Sequence, residues 1–224
     1  MRPVVDARGL GIAASALIGL SVVLDGLSVW SDWHTRQVVD GYLNDLAGVT
    51  RADLLTADQI TLVTSLASLV IMVAAAIVFI VWLWRVRLNA EALAIGHHHR
   101  SRGWVVGSWI CPVVNLWFPF QVVSDIWKAS KPANRAEPNL SALSGSARLD
   151  WWWRLYVGGN LVNWIAWRVG REPTIESLRN AALADTAAFV LTTGSAVLVI
   201  QLIREINAWQ AQSRPAISGG YALA

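Results

Sequence analysis

Two carboxylates stand where carboxylates are costly. Asp25 and Asp185 each interrupt a long uncharged run, and an ionisable group inside a membrane span costs roughly 2.5–3.5 kcal/mol on insertion scales, which makes it a functional candidate by default. With Asn163 they would form a polar layer able to hold a cation or relay protons. The plainer reading is helix-packing glue, hydrated near the interface or paired with Arg168 or Arg179. The run His97, His98 and His99 raises metal chemistry, but consecutive histidines lack the i, i+4 placement of a preformed helical site. A solvated loop, touching anionic lipid through Arg100 and Arg102, is the stronger reading. The single cysteine, Cys111, can form no intramolecular disulfide. Between Ile110 and Pro112 it has no charged neighbour to activate it, so it reads as a packing residue. No Gly-rich phosphate loop, zinc-protease motif or Ser/His/Asp set stands out; the sequence calls for no catalytic residue, no cofactor and no metal.

The elements that must carry these groups are apolar. Hydrophobic residues make up 55% of the 224, charged residues 15%, and the mean hydropathy is +0.45, against about 25% charged in an ordinary soluble domain. Lipid is therefore the expected solvent. Five segments lack charge over a length that matters for a bilayer, where about 20 apolar residues span the hydrocarbon. Residues 59–84 form the surest span, and the first runs over about 10–31, read as an uncleaved span because no persuasive small-residue cleavage site follows it. Two later ones cover about 151–168, where Asn160 and Asn163 are the intramembrane polar groups, and 180–203. The fifth segment, 103–124, is broken by Pro112 and Pro119.

Loop charge decides whether that fifth segment crosses, because cytoplasmic loops carry the excess of Lys and Arg. With the N-terminus inside and 103–124 not crossing, 13 of the 18 basic residues lie inside and 5 outside; if it crosses, the count is 9 against 9. The net charge of +3 is thus topological, not the footprint of nucleic-acid binding. The reading is an all-α integral membrane bundle of four transmembrane helices in a bacterial plasma membrane, both termini cytoplasmic, with a re-entrant or interfacial element over 103–130. The alternative is five helices, the third kinked by its prolines. Residues 1–214 form a single transmembrane domain and 215–224 a flexible tail. Trp30 and Trp33, Trp82 and Trp84, Trp151, Trp152 and Trp153, and Trp164 and Trp167 fall at the span ends, as an aromatic belt does. Residues 32–58 read as an acidic, partly helical outer loop with a helix start at Thr56-Ala57-Asp58, and 131–145 as a flexible linker. Gly158-Gly159 and Gly194-Ser195 mark faces where helices approach closely.

Residues 103–130 read GWVVGSWICPVVNLWFPFQVVSDIWKAS, with a skeleton of Trp109, Pro112, Asn115, Trp117, Pro119, Asp125 and Trp127. Asn115 carries donors and an acceptor that can satisfy backbone groups freed by the prolines. Asp125 can cap a short helix or pair with Lys128 or Arg85, and the tryptophans anchor the hairpin. The Trp-x2-Pro-x2-Asn-x-Trp-x-Pro core resembles the signature of an actinobacterial membrane family known only as domain of unknown function 4328. So do the Arg- and Asn-Ala-Glu-containing segment 85–92, the basic His-containing loop, and the Trp-rich helix from Trp151 with its Asn160. The resemblance implies a multi-pass membrane protein and carries no activity with it.

Function is then a choice among three readings. The first is a non-enzymatic accessory, scaffold or lipid-interacting protein, whose partners are the lipid bilayer and a second copy or another membrane protein. The second is a small transporter or channel subunit built on Asp25, Asn163 and Asp185. The third is an intramembrane enzyme acting on a lipid-soluble substrate at the cytoplasmic face, through Asn115, Asp125 and the histidines.

Overall fold

A computed structural model describes residues 4–44, 48–169 and 174–213. Arg2, Asp45, Arg171, Arg214 and the tail 215–224 lie outside the described residues. Six α-helices follow in order: α1 (Arg8–Leu43), α2 (Arg51–Leu93), α3 (Trp104–Ile110), α4 (Phe118–Ser130), α5 (Ala147–Val169) and α6 (Ile175–Ala211). Short 3-10 turns cover Val114–Leu116, Pro132–Asn134 and Leu140–Ala142. No strand occurs among the described residues, only an isolated bridge between His97 and Asn139.

By length and composition α1, α2 and α6 can cross a membrane. Among the described residues α5 falls below that apolar threshold, because its 23 residues include Asn160, Asn163, five tryptophans and charges at both ends. The long helices outrun their apolar stretches. α1 continues through residues 32–43, so much of the acidic segment 32–58 is helix, and α2 starts at Arg51, ahead of Thr56-Ala57-Asp58. Asp53 sets that start: its carboxylate accepts the Thr50 N–H and hydroxyl, both at 2.7 Å, which closes the first turn.

The chain divides into two compact units, Met1–Gly11 with Val81–Gly145 and Ile203–Ala224, and Ile12–Ile80 with Ser146–Leu202. In the second unit, helices meet through small and hydroxylic residues. Ser28 faces Ser68 at 3.4 Å, Ser31 and Thr35 both reach Thr61, and Trp33 Nε1 donates to Thr186 at 3.1 Å. A Cβ at Gly159 would stand 2.7 Å from Thr192 Cγ2, and Ser195 donates to the Trp152 carbonyl. These are the close approaches that small residues permit. The outward faces are apolar: Leu62, Val63, Leu66, Leu69, Val70 and Val73 of α2 are all exposed.

In the first unit the core is mixed. Trp82, Leu83, Val86, Val105, Val122, Ile126, Leu140 and Ile206 are at most 1% exposed. Among them run polar bridges. Asn89 exchanges two hydrogen bonds with the Val5 backbone and donates to Gln210 Oε1 at 2.9 Å; Gln210 in turn donates to the Val86 carbonyl and to Ser130 Oγ. Trp82 Nε1 donates to Asn207 at 3.0 Å. The segment 131–145 is not a free linker. Leu140 is fully buried, Lys128 Nζ donates to its carbonyl at 3.1 Å, and Arg135 donates to the carbonyls of Ser130 and Trp209. The Pro, Asn and Ser content that suggests flexibility instead builds turns.

Candidate functional site

The two prolines of the motif act as punctuation. Cys111, held extended by the proline after it (φ −79°, ψ 114°), ends α3, and Pro119 occupies the first turn of α4, where its missing N–H costs nothing. From Val122 to Ser130 every residue of α4 is buried. Asp125, 1% exposed, stands in the middle of this helix. It caps nothing and meets neither Lys128 nor Arg85; its carboxylate accepts the His99 N–H at 2.7 Å and contacts His99 Nδ1 at 2.8 Å. One buried acid thus pins the loop after α2 onto α4.

That loop is held from its other side as well. Ile95 and His97 donate to the carbonyls of Arg135 and Pro138. Gly96 lies so close to the Glu137 carbonyl that a Cβ would stand 2.8 Å from it. Arg87, 3% exposed, pairs with Glu91 one turn on and donates to the Arg100 carbonyl, both at 2.8 Å. Arg102 pairs with the other oxygen of Glu91. Arg100 donates to Gln121 at 2.9 Å and lies 3.8 Å over the Phe118 ring.

These contacts frame an open cavity of about 450 Å³, lined by Arg87, Glu91, residues 94–98 and residues 100–102. Arg87 and Arg102 bond the Glu91 carboxylate, and Arg100 completes the basic residues of the lining. The three histidines divide: His97 and His99 are exposed, as a solvated loop requires, but the His98 side chain is only 4% exposed. Burial and then the neighbouring Arg87 push its pKa down to about 4, against the weaker opposite pull of Asp125 and Glu91. Its imidazole is therefore neutral at neutral pH. Both its ring nitrogens, and Arg87 Nη1, are buried without a hydrogen-bond partner.

The other motif residues serve the frame. Trp109 is half-buried, Pro112 exposed, and Trp117 is 43% exposed beside Phe118. Trp127 is buried, donating to Glu205 at 3.1 Å and lying edge-on to Trp209. Asn115 is half-buried with its Oδ1 unpartnered; no side-chain bond to the proline-flanking carbonyls is seen. Cys111 is exposed, not packed, because the turn into Pro112 carries it off the helix.

The polar residues expected within the apolar segments are separately placed. Asp25 and Asp185 are half-buried, with Asp185 in electrostatic reach of Asp32, a residue the sequence did not single out. Asn163 is exposed, and so is Asn160, whose side chain donates to the Tyr156 carbonyl one turn back at 2.7 Å. Arg87 and Glu91 were also missed as site residues. Their i, i+4 spacing at the end of the most apolar helix was the available signal.

The family model described as Domain of unknown function (DUF4328) matches residues 45–208, and the chain belongs to that family. No curated protein and no solved structure matches it.

Proposed function

We propose that this member of the family is a non-enzymatic four-span protein of a bacterial plasma membrane, both termini cytoplasmic, acting as an accessory or scaffold subunit that engages anionic lipid at the inner face. The observation that carries the reading is the arginine cluster of Arg87, Arg100 and Arg102, ordered around an open cavity directly after the most apolar helix. Basic residues in that position are attracted to anionic head groups by about 1 kcal/mol each. The four-span count draws support from the distribution of Lys and Arg and from α5, whose Trp151, Trp164 and Trp167 are exposed near its ends. It also draws support from α4: 13 residues reach about 20 Å, short of the roughly 30 Å of hydrocarbon. Residues 103–130 then form an interfacial element of the inner face, and 1–214 one membrane domain. The bilayer and a second copy or another membrane protein are its partners.

The test is accessibility of a Ser141→Cys variant in a Cys111→Ser background, position 141 being exposed. Labelling by a membrane-impermeant thiol reagent only after lysis is the expected result. Labelling in intact cells would mean that 103–124 crosses, and would end the reading.

A transporter or channel subunit is the second reading, favoured by the nearness of Asp32 and Asp185 in a unit otherwise joined by hydroxyls and small residues. Loss of a cation- or proton-dependent activity in a folded Asp185→Asn variant would favour it over the scaffold.

A further inference from the structure

We infer that the cavity framed by Arg87, His98, Arg100 and Arg102 is a binding site for a phosphomonoester group, the dianionic –OPO3 of a lipid head group or of a soluble phosphate. This deepens the reading above, on which it rests for placing the basic loop at the inner membrane face.

Charge points first to an anion. The lining holds three arginines and one glutamate, with the Asp125 carboxylate 4.0 Å from His98 Nδ1, so positive charge is in excess, and His98, neutral, adds a donor without adding repulsion for other cations. A phosphomonoester carries nearly two negative charges at neutral pH, whereas a phosphodiester or a carboxylate carries one. Guanidinium forks match the oxygens of a tetrahedral oxyanion. The volume, about 450 Å³, admits a substituted phosphate and not just a bare ion.

The second observation is independent of charge. Arg87, 3% exposed, keeps Nη1 unpartnered although its other nitrogens bond Glu91 and the Arg100 carbonyl. His98, its side chain 4% exposed, leaves both ring nitrogens without a hydrogen bond, Nδ1 standing 4.0 Å from the Asp125 carboxylate. Buried polar groups are ordinarily satisfied; these three are not, and although closed off as they stand, all belong to residues lining one cavity, where a ligand would satisfy them once the side chains turn toward it. Binding would require the His98 ring to turn a nitrogen toward the cavity; Arg100, whose Nε is held by Gln121, and Arg102, whose Nε is held by Glu91, would offer their remaining N–H groups to the other oxygens.

Two alternative sources share this chemistry, and the experiment separates them. The full chain, purified in detergent, is titrated with inorganic phosphate at constant ionic strength and pH 7.5 while its thermal midpoint is followed. It is also reconstituted into vesicles of phosphatidylcholine doped with phosphatidic acid, a phosphomonoester, or with phosphatidylglycerol, a phosphodiester, at matched surface charge. A rise in midpoint with phosphate, absent with chloride, is expected, as is stabilisation by phosphatidic acid over phosphatidylglycerol if the source is lipid. Phosphate binding with no lipid preference assigns the site to a soluble phosphate.

His98→Leu should weaken phosphate at least tenfold while leaving the ligand-free midpoint unchanged or higher, since it removes two unsatisfied nitrogens. Arg102→Gln, at an exposed position that cannot unfold the chain, should weaken it severalfold. Absence of any phosphate effect and of any preference for phosphatidic acid overturns the proposal, as does undiminished binding in Arg102→Gln and His98→Leu. Failure here with position 141 labelled only after lysis leaves the membrane reading standing; phosphate binding with labelling in intact cells does the reverse.

Discussion

The unit containing α4 hides its polarity, whereas the unit containing α5 hides its smallness. In the first, Asn89, Gln210, Asp125, Lys128 and Arg87 are buried among tryptophans and branched aliphatics, each bonded to backbone or side chains distant in sequence. In the second, Ala14, Ala57, Ala75, Ala182 and Ala188 are buried beside a few large residues such as Leu149, Trp152 and Leu202, while on α2 Leu62, Leu66, Val70 and Met72 face outward. A chain in water drives apolar groups together, so that large residues go inside. In lipid that drive vanishes, and what goes inside is whatever lets helices approach or bond. If the second unit lies in lipid, as proposed, the two units are folded by different forces and should answer mutation differently.

The largest effect is expected at Asn89. Asn89→Ala strands the Val5 backbone groups and Gln210 Oε1, and should lower stability by roughly 3 kcal/mol or more, read as a collapse of the thermal midpoint or loss of folded yield. Intact stability would break the contrast.

Acid should come next. The folded chain holds His98 neutral down to about pH 4, while an unfolded imidazole takes its proton near 6.5. The unfolded state therefore binds more protons between those values, and stability falls as pH is lowered through that window. The loss should approach about 3 kcal/mol at the bottom of the window. Thermal midpoints from pH 7.5 to 4.5 test this, and His98→Leu should flatten the profile.

In the other unit a small residue is the sensitive one. Gly159→Val drives a methyl into Thr192 and should cost about 2 kcal/mol through separation of α5 from α6. Leu66→Ala, on the outward face of α2, should stay within about 0.5 kcal/mol in detergent. If Leu66→Ala proved worse than Gly159→Val, the second unit would have a conventional hydrophobic core and the comparison would fail.

Sequence patterning made the helical class and the three long apolar helices legible because charge-free length is a local property. It also made the motif's prolines legible, and they do end one helix and begin the next. It did not reveal which of three adjacent histidines turns inward. That choice is made by Asp125, 26 residues on, gripping His99, and by Pro138 and Gly96 holding the loop's other edge. Nor did composition distinguish the 131–145 segment from a flexible linker, since the same Pro, Asn and Ser residues serve turns and tethers alike; only the burial of Leu140 separates the two. Cys111 was misjudged for a similar reason: an apolar neighbour in sequence says nothing about which way a helix-ending turn points. The cavity is lined by residues 87–102 alone, but the loop that shapes it is fixed by contacts to Asp125, Arg135, Glu137 and Pro138 farther along the chain, which no window over 87–102 shows.

The bridge from Val5 through Asn89 to Gln210 joins residues 84 and then 121 positions apart. A ribosome delivers the chain in order, so Asn89, at the end of α2, must wait for Gln210 through the synthesis of α3, α4, α5 and most of α6. Until then its amide, the Ser130 hydroxyl and the Val86 carbonyl are without the partner that later satisfies them. Helices that need only a neighbouring helix can pack as they emerge, but this unit is sealed late, by α6, and a chain arrested before residue 210 should be recognised by quality control as unfinished however well its other helices are formed.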